Sequence, residues 1–284
     1  ANAKTYIDMV LNSGQYELES DFKYVWSENN KYGKEMIFAL LHETGNNAAE
    51  IACHFGPSDH PEVPGRWQYY GVSLPFWRSY DKEDPRREFF YYDYTGDAKR
   101  DDQSDYGFHY MVPEEGVTVV PNDTTKYMQN VATMKYTYDM ISDAYYDGRT
   151  ICIFRLSDVI LCKAEIENNL NGPAAALPYL NQIRARAGAP EYGKHNRFPA
   201  PSTKEAMNDA ILKERGYELV FEFQRRADLI RFGKYEEVVN AHLKKLGIAQ
   251  PTNVTSSLRY FPYPLNDAQL NPNLAAENPS RLPK

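Results

Sequence analysis

The longest regular pattern of apolar and polar positions runs from Ser202 to Gly233. Leu212, Gly216, Leu219, Phe223, Ala227 and Ile230 recur at steps of 4, 3, 4, 4 and 3. That is one helical face, and it predicts a single long amphipathic helix. Ser202 and Glu205 have capping-box spacing at its start, and Gly233 is a natural stop. A second stripe carries Glu214, Glu218 and Glu222, four apart, which alone would repel. Arg215, Arg225, Arg226 and Arg231 lie among them, and Glu222 with Arg226 has favourable i,i+4 spacing. Arginine nearly matches glutamate here and no histidine intervenes. The ladder therefore reads as an ion-pair network rather than a catalytic or metal site.

Other patterns are shorter. Ala3, Tyr6, Ile7, Val10 and Leu11 form a helical stripe that Gly14 ends. The run Glu35–Glu43 is apolar between charges and fits a buried strand or a short helix, the strand being preferred, and Val117–Val120 and Thr150–Leu156 read as further short strands. Two helices follow in tandem. The first starts near Ser157, turns Val159, Ile160 and Ala164 inward and ends at Asn171-Gly172. The second opens with Pro173, aligns Ala176, Leu180, Ile183 and Ala187, and stops at Gly188 before Pro190. The pair has the length of one tetratricopeptide-type repeat, and one pair cannot form a solenoid by itself. From Asn46 to about Asp105 no period is sustained, and Gly, Pro, Trp and Tyr are frequent. Long ordered loops of this kind are usually functional.

The expected fold is mainly α: a tetratricopeptide-like helix pair packed with a long helix, plus a loop-rich ligand-binding region with short strands. The loop-rich part covers 46–149, and the helical and closing part covers 150–284.

Composition narrows the function. The 284 residues carry a net charge of -7, against a nucleic-acid partner. No apolar run approaches the ~18–20 residues of a membrane span. The chain opens at Ala1 without an initiator Met, as expected of a processed or truncated chain. Cys53, Cys152 and Cys162 include no CxxC and read as core thiols. The 23 tyrosines suit both half-buried cores and ligand surfaces.

The best ligand candidates are Arg66, Trp67, Tyr69 and Tyr70, between Gly65 and Gly71, with Trp77 following in Phe76-Trp77-Arg78. An aromatic plane covers the apolar C–H face of a sugar, and Arg, Asn, Asp or Gln bind its hydroxyl rim. The competing reading makes Trp67 and Trp77 the cores of their own loops. Asn29 and Asn30 lie in another loop. His54 and His60 fit no metal spacing and read as solvated, as does the acidic stretch Asp93–Asp105, whose spacing does not match a calcium loop. There is no G-x-S-x-G, H-E-x-x-H or phosphate loop, so no catalytic residue, metal or cofactor is assigned.

Several segments also resemble a known family. Val10–Tyr16 (VLNSGQY) with Lys34–Ala39 (KEMIFA) comes first, and Asp84-Pro-Arg86-Arg87 closes the loop region. Leu156–Glu165 and Leu180–Gly188 follow, then the helix with Glu214-Arg215, Phe221-Glu222 and Arg231-Phe-Gly233. Phe261-Pro-Tyr-Pro264, Asn271–Leu274 and Asn278-Pro279 close the set. Their order is similar to that of the SusD/RagB family, nutrient-binding outer-membrane lipoproteins of the Bacteroidetes. The resemblance implies non-catalytic binding of oligo- or polysaccharides at the outer face of the outer membrane. It also implies delivery to a SusC-like TonB-dependent transporter. Peptide binding of the RagB kind is the alternative, and a polysaccharide hydrolase is a third. Family members are commonly about twice as long. The chain resembles their C-terminal half, without the lipid-anchored Cys of the N-terminal half.

Overall fold

The computed structural model describes residues 2–43, 50–63, 66–96, 107–116, 124–139, 148–245, 254–255, 259, 261–271 and 273–274. The expected strand Val117–Val120, Gly65 and most of the acidic stretch lie outside them. The chain divides into two compact units, Ala1–Phe223 and Gln224–Lys284.

The first unit opens with α1, Asn2–Leu11, and β1, Met36–Leu40. The loop region that follows is a series of short elements: α2 (Ile51–Phe55), β2 (Val72–Ser73), α3 (Leu74–Arg78), β3 (Phe90–Tyr91) and β4 (Asp93–Thr95). Then come β5 (His109–Met111), β6 (Thr125–Tyr127), β7 (Asn130–Thr133) and β8 (Ile151–Arg155). β1 pairs antiparallel with β8, with Phe38 opposite Phe154. β7 lies between β2 and β3, and β5 between β4 and β6.

The helical part is α4 (Leu156–Asn171), α5 (Pro173–Arg186) and α6 (Lys204–Glu218). α4 and α5 form the expected repeat pair, broken at Gly172 with φ 90° and closed by Gly188 with φ 71°. Ile160, Leu161 and Ala164 of α4, Ala176, Leu180 and Ile183 of α5, and Met207 and Ile211 of α6 are buried together as a three-helix core. Val159 is only half-buried. The second unit contains α7 (Arg225–Arg231), α8 (Tyr235–Lys245) and α9 (Leu265–Leu270). Its links include Arg259 to Glu236 and the Asn240 side chain, which bonds both backbone groups of Val254.

The pattern over 202–233 is not one helix. α6 is capped by Thr203, whose hydroxyl accepts from the Ala206 N–H at 3.1 Å, not by Ser202. It ends at Glu218, and the turn before α7 holds Phe221 and Phe223 at φ 61° and 64°. Side chains from elsewhere take the carbonyls a continuing helix would use. Lys135 Nζ and Arg155 Nη2 both donate to the Glu218 carbonyl at 2.9 Å, and the Tyr136 hydroxyl donates to that of Phe221 at 2.8 Å. Tertiary capping thus overrides a continuous apolar period.

The glutamate ladder is an ion-pair network, as expected, but its partners come from distant elements rather than from neighbouring arginines. Glu214 holds Arg86 at 2.7 Å and Arg184 at 2.6 Å. Glu218 holds Arg155 at 2.8 Å, Arg86 at 2.9 Å and also Arg186. Glu222 pairs with Lys135 at 2.6 Å and Arg155 at 2.7 Å. Glu35 closes the ring on Arg155 and Arg186, and Asp84 neutralises Arg86. Five carboxylates, of Glu35, Asp84, Glu214, Glu218 and Glu222, thus meet five cations, of Arg86, Lys135, Arg155, Arg184 and Arg186. All are buried. Unpaired charges at this depth would cost several kcal/mol each. Burial alone would raise the pKa of Glu218, but Arg186, Arg155 and Arg86 hold it well below the usual carboxylate range.

Candidate ligand-binding site

The segment from Arg66 to Tyr70 is hydrogen-bonded along α2. The Trp67 N–H donates to the Cys53 carbonyl at 2.7 Å, the Gln68 N–H to Gly56 at 3.0 Å and the Tyr70 N–H to His54 at 3.1 Å. Two glycines allow this close approach. A Cβ at Gly56 would stand 2.7 Å from Arg66 Cγ, and one at Gly71 would stand 2.4 Å from Asn130 Oδ1. Gln68 takes φ 48°, which turns the chain between the two aromatic positions.

The result is an exposed aromatic arc. Trp67, Tyr69 and Tyr70 are 38%, 67% and 54% exposed. Trp67 and Tyr69 lie 5.5 Å apart between ring centres. His54 stands among all three at 5.2, 5.4 and 6.1 Å. Behind the arc, Phe55 contacts Tyr70 at 5.3 Å and Phe221 at 4.8 Å, which ties it to the core and to the turn after α6. Polar groups border it: the Gln68 amide donates to Asn130 Oδ1 at 3.4 Å, and Glu50 lies beside His54. Flat apolar faces with amide and carboxylate groups at their edge suit a ring with one apolar face and a hydroxyl rim.

Two candidates leave this surface. Arg66 is buried beneath the arc, with Nη1 3.6 Å from Cys53 Sγ. Trp77 is 5% exposed, donates its indole N–H to the Arg87 carbonyl at 3.1 Å and carries the Arg87 guanidinium 4.0 Å from its ring centre. It belongs to the core with Tyr80, Phe90 and Val131, the loop-packing alternative. Asn30 is engaged by Glu19 and the Tyr24 carbonyl.

The two histidines are half-buried, packed against aromatic rings. His54 underlies the arc. His60 packs 4.7 Å from Tyr91 and 4.9 Å from Tyr94, and burial pushes its pKa down. Sequence reasoning missed His54, Gln68 and Asn130 as members of this surface. The available signal was Gly56 and Gly71, each demanding a close neighbour, but not which neighbour. Cys53 and Cys152 are buried and Cys162 half-buried, all as thiols. Among the described residues no group of His, Cys, Asp and Glu could hold a metal ion, and no helix is long and apolar enough to cross a membrane.

These features define a class: a mainly α scaffold with a tetratricopeptide-like pair, carrying exposed aromatics on an ordered loop. The chain belongs to the SusD family, whose profile matches residues 34–280. It is 39% identical over 120 residues to SusD-like protein P25 of Formosa agariphila, across 42% of this chain and 22% of that one. It is 28% identical over 137 residues to the starch-binding protein SusD of Bacteroides thetaiotaomicron, across 48% of this chain and 22% of the relative. Surface glycan-binding protein A from Bacteroides thetaiotaomicron, solved in complex with laminarihexaose, shares the fold with a TM-score of 0.66 at 22% identity. That match covers 94% of this chain and 56% of the other, so the chain spans about half the length of the solved relative.

Proposed function

We propose that this protein binds oligo- or polysaccharides without catalysis at the extracellular face of the outer membrane. It delivers them to a SusC-like TonB-dependent transporter, held at the membrane by a lipid anchor. The observation that carries the reading is the exposed arc of Trp67, Tyr69 and Tyr70 around His54. Membership of the SusD family supports it, as do the printed descriptions of two relatives, a starch-binding protein and a glycan-binding protein solved with laminarihexaose. Trp67 and Tyr69 stack on sugar C–H faces, Tyr70 and His54 frame the arc, and Gln68, Asn130 and Glu50 meet hydroxyls. Arg66 and Trp77 act behind the surface. An exposed tryptophan plane favours a saccharide over an extended peptide. The ladder carboxylates, each buried against a guanidinium or ammonium group, offer no pair to a glycosidic bond.

Isothermal titration with soluble glucan oligosaccharides, laminarihexaose among them, tests the reading. Saturable heat is expected for at least one saccharide. Silence toward every saccharide with a response to peptides would replace this reading with the peptide one. Turnover of a polysaccharide, abolished by a single Glu or Asp change, would replace it with a hydrolase.

A further inference from the structure

A second surface in the first unit shares no lining residue with the arc. It is a cleft of about 330 Å³ beside α6, where the segment from Arg78 to Asp84 meets Arg197 and Phe198. Its volume is in the range of small-ligand sites. Its charge runs against that of the protein, which is net -7. Arg78, Lys82, Arg197 and Lys213 line it, with Asp81 as the carboxylate facing them. Two other charged groups at its wall are already matched: Arg184 by Glu214 at 2.6 Å, and Asp84 by Arg86 at 2.8 Å.

The four cations are not equivalent. Arg197 is held by Asp81 at 3.1 Å and Glu83 at 2.6 Å, and Arg78 donates to the Pro113 carbonyl. Lys82 and Lys213 are exposed and have no carboxylate partner among the described residues; the Lys213 ammonium lies 5.7 Å from the Tyr217 ring centre. Beside them Phe198 presents a half-buried aromatic ring, backed by the Arg184 guanidinium at 4.7 Å. A concave surface with two unmatched ammonium groups and an aromatic side chain concentrates anions that also carry an apolar face.

We propose that this cleft binds the acidic group of a negatively charged saccharide, either a uronate carboxylate or a sulfate ester. Lys82 and Lys213 pair with the charge, and Phe198 packs against the sugar ring. The inference rests on the saccharide-binding reading and adds a ligand class and a second contact surface to it. A chain with this cleft and the arc holds an acidic saccharide at two places, one by ring stacking and one by charge.

The test is titration of the whole chain with neutral oligosaccharides, uronate oligosaccharides, sulfated oligosaccharides and inorganic sulfate. It uses wild type and the double variant Lys82→Gln/Lys213→Gln. Both lysines are exposed, and thermal unfolding of the double variant should match wild type. The expected result is an acidic saccharide binding about tenfold or more tightly than its uncharged counterpart. That margin should vanish in the double variant. It should also shrink between about 0.1 M and about 1 M salt, as the Debye length falls from about 10 Å to about 3 Å. A preference for uronate or for sulfate identifies the acidic group. Equal binding of acidic and neutral counterparts overturns the inference while leaving the saccharide reading intact, as does a double variant that keeps the margin. Inorganic sulfate binding as tightly as the sulfated saccharide overturns the saccharide contact. Absence of binding to every saccharide, neutral or acidic, overturns both readings together.

Discussion

Two regions of the first unit have opposite designs. The centre holds charge where apolar side chains would be expected, and the surface loop exposes aromatics where charge would be expected. Around Arg155 of β8, Glu35 just before β1, Arg186 of α5, Glu218 of α6 and Glu222 in the turn after it are drawn inside and mutually neutralised. On the loop along α2, Trp67, Tyr69 and Tyr70 stay exposed above a core that includes Phe55 and Tyr136. The comparison teaches that residue type alone does not identify function. Buried charge here is spent on joining elements, while exposed apolar area remains available to a ligand.

The largest effect that would test this contrast comes from Arg155. It pairs with Glu35, Glu218 and Glu222, so Arg155→Ala leaves three carboxylates short of a partner. Denaturant unfolding should register a loss of at least about 3–5 kcal/mol, a large part of a typical domain's stability, or no folded protein at all. Stability within about 1 kcal/mol of wild type would remove the network from its central place.

Trp77→Ala comes next. Its indole is buried, and truncation should cost about 3–5 kcal/mol through the cavity it leaves. Saccharide affinity of the folded fraction should be unchanged; a selective loss of affinity at unchanged stability would return Trp77 to the ligand surface.

Acid should act on the same network. Glu218 and Glu222 have folded pKa values below the ordinary 4.5, because the surrounding cations outweigh the opposing effect of burial. Their contribution is fully present above about pH 4.5 and is lost as pH falls from there toward the depressed folded values. Unfolding midpoints between about pH 6 and about pH 3 should fall, and Glu218→Gln should flatten the slope from a lower starting stability. A slope identical in wild type and variant would contradict the assignment.

The smallest effect concerns the turn after α6. Phe223 is 66% exposed and sits at φ 64°, a conformation that favours glycine. Phe223→Gly should raise stability by about 1 kcal/mol. A loss would mean that the phenyl ring contributes more than its backbone strain costs.

The sequence was legible wherever punctuation and period agreed. The α4–α5 pair was bounded by Gly172, Pro173 and Gly188, and its inward residues followed the 3.6-residue repeat. β1 and β8 were likewise visible as apolar runs of strand length. The break after Glu218 was not visible, because no Gly or Pro marks it. It is made by Lys135, Arg155 and Tyr136, which are far away in the chain. The site was partly legible. Aromatics between polar residues pointed to the loop, but the opposite fates of neighbouring Arg66 and Trp67 depend on how the segment lies against α2. His54 and Asn130 join the surface only through the same packing.

The central claim is that the exposed arc, and not the buried charge, carries ligand binding. It is tested most directly by titrating the saccharide that gives the largest heat into wild type and Trp67→Ala, with thermal unfolding of both. Trp67 is partly exposed, so its removal should leave the unfolding temperature nearly unchanged while affinity falls about tenfold or more, roughly 1.4 kcal/mol or greater. Full affinity in a folded Trp67→Ala protein would contradict the account.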